Sequence, residues 1–431
     1  MKQIAIKMKN FTTALFLLLL VFSHFLSAQT ATEYILLADR LFDGKEMHEN
    51  WGIWVKGNTI FQVGPHADLK ARREVKTIEL KGKTLLPGLI EGHSHLLLHP
   101  YDEVSWNDQV LKESHAERAI RAGVHAEKTL LAGFTTVRDL GSEGAGYTDV
   151  GVKESIEKGI IPGPRMLVAG PAIVATGSYG PKGFADHVQI PLGAEEADGY
   201  EDLIKVVRRQ IGGGADFIKV YADYRWGPNK EARPTFSLEE LKLIVETAAS
   251  SGRVVVAHAA SPEAMRRATL AGVKTIEHGD GGTKEVFALM KEKGVALCPT
   301  LAAGDAISQY RGWRKRIDPE PERIQNKRKS FALALESGVI ISAGGDVGVF
   351  SHGDNVRELE MMVEYGMQEA DVLISTTRLN AHLFGLDNLG KLETGFFADV
   401  IAVEGNPLEN ISQLREVQMV MKDGELILLK D

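Results

Sequence analysis

From Tyr34 onward the chain alternates two kinds of apolar pattern. Residues 34–64 (YILLADRLFDG…GIWVKGNTIFQVG) break into short β-rich runs separated by glycine-containing turns, the signature of hairpins. The tail from residue 392 repeats it: ADVIAVEG is followed by VQMVMKDGELIL, with a tight turn expected at Asp423-Gly424. Between them lie apolar runs that barely alternate: FTTVRDLG (134–141), RMLVAGPAI (165–173), DFIKVY (216–221), VVVAHA (254–259), KTIEHG (274–279), ALCPTL (296–301) and VIISAGGD (339–346). Such runs suit strands covered on both faces. Amphipathic segments separate them. Ser237-Leu238-Glu239-Glu240 is a capping box opening a helix that Gly252 should close, and Ser261-Pro262 opens another that Gly272 should end. With TLLPGLIEGHSH (84–95), these runs give eight strands alternating with helices, which predicts an α/β fold built on a (β/α)8 TIM barrel over 89–389. The two hairpin regions, 29–88 and 390–431, are expected to form a small β-sandwich from both chain ends. A doubly wound open sheet is the rival, but no glycine-rich dinucleotide loop follows any strand.

The first 28 residues follow another pattern. Lys2, Lys7 and Lys9 precede an apolar stretch, Phe11 to Phe22, too short to span a bilayer, and Leu26-Ser27-Ala28 follows. This reads as a cleavable secretory signal, with an uncleaved anchor as the alternative. The expected product is periplasmic or secreted and free of the membrane after cleavage. The 431 residues carry 50 Lys+Arg against 58 Asp+Glu, a formal charge of −8 that becomes −11 without the three leading lysines. Nothing here invites nucleic acid. The single cysteine, Cys298, excludes an intrachain disulfide scaffold and a cysteine-rich metal site.

Chemistry in a barrel sits at the C-terminal ends of the strands, and reactive side chains gather there. His93 and His95 end the first strand, two residues apart and therefore on one face. Lys219 lies inside DFIKVY, His258 ends VVVAH, His278 ends KTIEH, and Asp346 ends VIISAGGD. Each alone has an ordinary structural reading: a hydrogen-bonded histidine, an ion-paired lysine, a capping aspartate. Together, at five strand ends, they point to a metal site. Imidazole plus carboxylate without thiolate suits Zn²⁺, with Mn, Co or Fe as substitutes. Four histidines and an aspartate exceed the three protein ligands usual for one catalytic zinc and suggest two divalent ions. Two close cations need an anionic bridge. A buried lysine, neutral through its lowered pKa, can take up CO₂ and supply one as a carbamate.

The segments LLPGLIEGHSHLLL, AGFTTVRDLG, GADFIKVYAD, VVAHAASPEAMRRATLAGVKTIEHG, ALCPTLAA, SAGGD and LGKLETGFFADVIAVEGNPL resemble the amidohydrolase superfamily, in its imidazolonepropionase-like and Xaa-Pro dipeptidase-like branches, over about residues 33–431. The resemblance implies that His93, His95 and Asp346 bind one metal, His258 and His278 the other, and N6-carboxylated Lys219 bridges them. Lys219 favours the dipeptidase-like branch, since imidazolonepropionase is mononuclear and lacks that lysine. The family's usual Gly-Thr-Asp is Gly344-Gly345-Asp346 here, which keeps the ligand. The histidine motif common after the third strand is replaced by TGSYGPKGFADHVQ (176–189). By the same resemblance Asp346 accepts a proton from a metal-activated water and returns it to the leaving amine.

Substrate contacts are sought in the loop Tyr221-Ala222-Asp223-Tyr224-Arg225-Trp226-Gly227. Tyr221 is a candidate for an oxyanion or a substrate carboxylate, or a packing residue; Arg225 for a carboxylate, or a surface residue. His187 and His125 are candidates by residue type alone. Arg138-Asp139 is read as a structural ion pair, Cys298 as an inert core residue. No Gly-x-Ser-x-Gly elbow occurs. The expected activity is cleavage of a C–N bond in a small molecule such as a dipeptide or N-acyl amino acid. Ester, lactone or cyclic amide hydrolysis at the same site is the alternative, as is an exported metal-binding protein without catalysis. A homo-oligomer is left open.

Overall fold

The structure, a computed structural model, describes residues 33–70, 75–185 and 187–430. The expected signal segment lies outside these residues. The fold is mixed α/β. Eight strands from both chain ends join one hydrogen-bonded path: Glu425–Leu429, Val417–Lys422, Val400–Glu404, Lys76–Pro87, Glu33–Phe42, Trp51–Lys56 and Thr59–Pro65, with Met47–Glu49 paired to Glu33–Phe42. These strands, from both chain ends, form a continuous ladder around an apolar cluster that includes Leu36, Ile53, Leu85, Val400 and Met419. The Asp423-Gly424 turn forms as expected, with both residues at positive φ.

The intervening apolar runs become parallel strands. Leu89–Ser94 pairs with Phe134–Asp139, and that with Arg165–Val168. Ile173–Val174, Ile218–Tyr221, Val255–Ala259, Thr275–His278 and Ala296–Cys298 follow in register. The Asp216 amide reaches the Val168 carbonyl at 2.8 Å, linking the two groups. The eighth expected strand differs. Residues 339–346 make isolated bridges, Ile341 to Leu297 and Val347 to Ser94. Asp346, at φ +63°, turns the backbone out of the extended ladder just where it ends. Even so, Ser342 donates to the Leu297 carbonyl at 2.8 Å, and Asp346 to that of His93 at 2.8 Å, so the segment touches strands on both sides.

The largest apolar cluster takes Leu89, Phe134, Ile173, Ile218, Val255, Ile276, Leu297 and Ile341, at least one residue from each run. Helices cover it with one face each. Leu238–Ala249, opened by the Ser237–Glu240 box, buries Leu241, Ile244 and Ala248 at helical spacing and ends three residues before Gly252. Pro262–Ala271 ends at left-handed Gly272, as its sequence signals. Among the described residues no helix is long and apolar enough to cross a membrane.

Candidate active site

A cavity of about 580 Å³ opens beyond the C-terminal ends of the parallel strands. His93, His95, His258, His278 and Asp346 line it, as do Tyr221 and Arg225. Lys219 is buried, and its charge acts on His93, His258 and His278. Backbone strain gathers here. Eight described non-glycine residues have positive φ, and four of them, Glu143, His278, Thr300 and Asp346, line this cavity. Each costs about 1–3 kcal/mol and persists only because its surroundings fix it.

The histidines are aimed by partners on their rear nitrogens. The Nδ1 of His95 faces the Gly141 carbonyl at 2.9 Å, that of His278 faces Thr300 Oγ1 at 2.7 Å, and that of His93 faces Glu277 Oε2 at 2.9 Å. A carbonyl can only accept, so Nδ1 of His95 carries a proton and Nε2 is the inward-facing atom. The Nε2 atoms of His93 and His95 stand 3.5 and 3.3 Å from Asp346 Oδ1. Ligand atoms of His93, His278 and Asp346 lie within 4.8 Å of one another. The His258 ring sits 4.5 Å from that of His278, and its Nε2 is 3.5 Å from Asp223 Oδ1. Asp223 is otherwise occupied by the amides of Ala260 and Ser261 and the Ser261 hydroxyl.

Charge follows from this packing. Burial, opposed by Asp346, lowers the pKa of His93 to about 4. Burial and then Lys219 lower that of His258 to about 3. Both imidazoles are neutral at pH 7, as metal ligands must be. At His95 burial also disfavours the cation, but the hydrogen bond and charge of Asp346 outweigh it and raise the pKa to about 9. At Asp346 burial is overcome by His93 and His95, and the pKa falls to about 2. Burial lowers the Lys219 pKa, with Glu277 and Asp346 opposing. No carboxylate among the described residues forms an ion pair with its amine, which stands 5.6 Å from the centre of the Tyr221 ring.

Sequence reasoning missed the acid behind His93. Glu277 is fully buried and accepts from His93, from Arg138 Nη2 at 2.9 Å and from the Thr275 hydroxyl. Arg138 also holds the Gly92 carbonyl at 2.8 Å. The signal was present, since a glutamate inside an apolar run is as costly as the lysine that drew notice at 219. Arg138 is thus in a structural ion pair, as read, but with Glu277. Asp139, pointing to the other side of its strand, accepts from the Leu96 amide at 2.6 Å instead. The other missed residues carry no periodic signal: Glu143 and Tyr179 sit on loops, and Trp106 opens the short helix Trp106–Lys112.

The remaining candidates divide. Tyr221 stacks on His258 at 4.6 Å and donates its hydroxyl to Glu143 Oε1 at 3.3 Å. Arg225 is an exposed residue on the cavity lining, hydrogen-bonded to the Tyr224 hydroxyl at 3.1 Å. His187 is exposed and outside the lining. His125 is also outside it; it stacks on His352 at 4.3 Å and bonds the Leu96 carbonyl. Cys298 is buried against the Gly344 carbonyl, its thiol pushed up by burial, consistent with an inert core residue.

Inward-turned imidazoles, one carboxylate and a buried amine form a donor set that fits divalent cations of borderline hardness. The sequence model of the amidohydrolase family matches residues 84–427. Ochratoxinase from Aspergillus niger is 31% identical over 437 residues, covering 93% of this chain and 88% of the relative. The crystal structure of a Xaa-Pro dipeptidase with bound methionine in the active site superposes with a TM-score of 0.80 at 32% identity, covering 92% of this chain and all (100%) of the other. That of a prolidase complexed with N-methylphosphonate-L-proline gives 0.80 at 26% identity, covering 93% and 100%.

Proposed function

The chain belongs to the amidohydrolase family and is a hydrolase acting on C–N bonds, and from that premise we propose a binuclear metal-dependent enzyme that cleaves dipeptides or N-acyl amino acids. The observation that carries this reading is the convergence of His93, His95 and His278 on the Asp346 carboxylate, with His258 beside them and buried Lys219 within electrostatic reach of His93 and Asp346. The scaffold is a closed (β/α)8 barrel. Support comes from the bonds that residues 339–347 make to strands on both sides, and from the Asp216–Val168 bond that joins the two strand groups.

His93, His95 and Asp346 would hold one ion and His258 and His278 the other, with Lys219 as a carbamate between them. The preferred metal is Zn²⁺. When bound, such ions lower the pKa of water towards neutrality and polarise the scissile carbonyl. Asp346 has the place and the charge to act on that water. Its low pKa keeps it ionised, so it would be free to accept a proton from the attacking water and return it to the amine nitrogen of the broken C–N bond. Glu277 and Gly141 keep His93 and His95 from turning while this happens.

Xaa-Pro dipeptidase and prolidase neighbours support a dipeptide-like substrate. The relatives do not favour the ester, lactone or non-catalytic readings. Export follows from the basic and apolar start of the chain. The test is a metal-replete screen of dipeptides and N-acyl amino acids read by released amine, with a chelated control. Amine release that the chelator stops is expected. Activity that survives full chelation would end the metal reading, and no release from any substrate would end the dipeptidase reading.

A further inference from the structure

One acid on the cavity wall has no part in the mechanism above. Glu143 follows the Phe134–Asp139 strand in the loop Gly141-Ser142-Glu143-Gly144, with φ +47°. Its backbone is clamped from behind. Buried Arg118 donates to the carbonyls of Glu143 at 2.8 Å, Ser142 at 3.0 Å and Leu97 at 3.1 Å. That guanidinium is spent on carbonyls and does not bond the Glu143 carboxylate.

The carboxylate points into the cavity. Its Oε2 accepts from Trp106 Nε1 at 2.8 Å and the Tyr179 hydroxyl at 2.8 Å, and its Oε1 accepts only the longer bond from Tyr221 at 3.3 Å. A Cβ placed on Gly141 would lie 3.6 Å from Glu143 Oε1 and 3.8 Å from Cε1 of His95, so this oxygen is within about 7.4 Å of that ring atom, and its charge acts on His95. Glu143 is 3% exposed, yet all three donors are neutral and it makes no ion pair among the described residues. No cation among the described residues bonds this buried carboxylate directly, although His95 and Arg118 act on it at longer range, and Oε1 keeps acceptor capacity to spare. The surrounding aromatic faces attract positive charge as well: the ring centres of Tyr221 and Tyr224 lie 4.7 and 4.9 Å from that of Tyr179. A substrate carboxylate here would meet like charge, so this wall does not suit the acidic end of a dipeptide.

We propose that Glu143 and its aromatic wall bind the protonated α-amine of the substrate, on the acyl side of the bond that breaks. The α-nitrogen is one carbon from the scissile carbonyl, which matches a carboxylate whose charge reaches His95. The inference rests on the hydrolase reading and narrows it, selecting substrates with a free N-terminus over N-acyl amino acids.

The test uses pairs that differ only by the ammonium group: alanyl and propionyl amides of proline, phenylalanine and leucine, with the metal-loaded enzyme, read by release of the second amino acid. The alanyl compound should be favoured in kcat/KM by about a hundredfold or more. Glu143→Gln should narrow that gap to below about tenfold, mainly by lowering the alanyl value. Should that variant fail to fold, the wild-type pairs decide alone. Calorimetry gives a second measurement: chelated protein should bind alaninamide and not propionamide. Equal cleavage within each pair would overturn the ammonium site and leave the hydrolase standing. No cleavage of any amide would remove the hydrolase reading, and this inference with it.

Discussion

Removing either member of the Arg138–Glu277 pair should destabilise the protein more than removing both. The two side chains are 2% and 0% exposed and 2.9 Å apart. At an effective dielectric of about 20 their attraction is about 6 kcal/mol, which the several kcal/mol needed to strip water from each ion roughly offsets. Arg138→Met leaves Glu277 charged and buried among neutral groups, and Glu277→Gln leaves the guanidinium in the same position. Each should cost about 3–5 kcal/mol, a large part of a typical folding free energy. The double variant leaves no unpaired charge and should cost about 2 kcal/mol, well below the sum. Urea unfolding followed by tryptophan fluorescence reads these values. A metal titration adds a second axis. Glu277→Gln weakens the partner on Nδ1 of His93 and should lower metal affinity about tenfold, whereas Arg138→Met, which keeps that partner, should act on stability. Single variants within about 1 kcal/mol of wild type, or strictly additive effects, would refute the claim that the pair is held by mutual neutralisation.

Three further outcomes are expected. Asp346→Asn should lower turnover by about 10²–10⁴ with an unaltered circular dichroism spectrum, and retained turnover would remove Asp346 from its proton-transfer role. Metal affinity should rise about tenfold per pH unit between pH 7 and 9. His95 is raised to about 9, so below that pH a cation must displace its proton, and above it there is none to displace. An affinity flat from pH 6 to 8, measured with a competing chelator, would contradict this. Gly344→Ala should cost about 1–3 kcal/mol and weaken metal uptake, because the new Cβ would lie 2.6 Å from the His93 nitrogen and 2.8 Å from the Gly92 carbonyl carbon, backbone that cannot step aside. An unchanged melting curve would show that the strand ends are less tightly packed than described.

Strand positions were legible in the sequence because burial on both faces leaves unbroken apolar runs, and a charged or metal-binding residue within one stands out. That logic finds Lys219, His258 and His278; the two histidines line one cavity, and Lys219 is buried. It applies equally to Glu277, a carboxylate inside the apolar run that ends at His278. Glu143, Trp106 and Tyr179 left no such trace. They come from two loops and the first turn of the helix Trp106–Lys112, and what joins them is hydrogen bonding at a carboxylate that no local pattern encodes. His187 shows the converse: residue type alone, without a strand end to place it, pointed to an exposed turn. The 339–346 segment was recognised by composition, but its left-handed aspartate breaks the ladder, and only the backbone geometry shows that.

The sheet shared by the two chain ends ties completion of the fold to the order of synthesis. The long strand Lys76–Pro87 pairs on one side with Glu33–Phe42, made before it, and on the other with Val400–Glu404, made long after it. Until then one flank of that strand is an open row of amides and carbonyls, a template for any passing chain. The same strand runs through Gly88 straight into Leu89–Ser94, so the residues bearing His93 and His95 hang from an unfinished edge. A nascent or truncated chain that stops before Val400 should therefore aggregate before it can load a cation, and a permuted chain in which residues 392–431 precede Glu33 should fold with less help from chaperones.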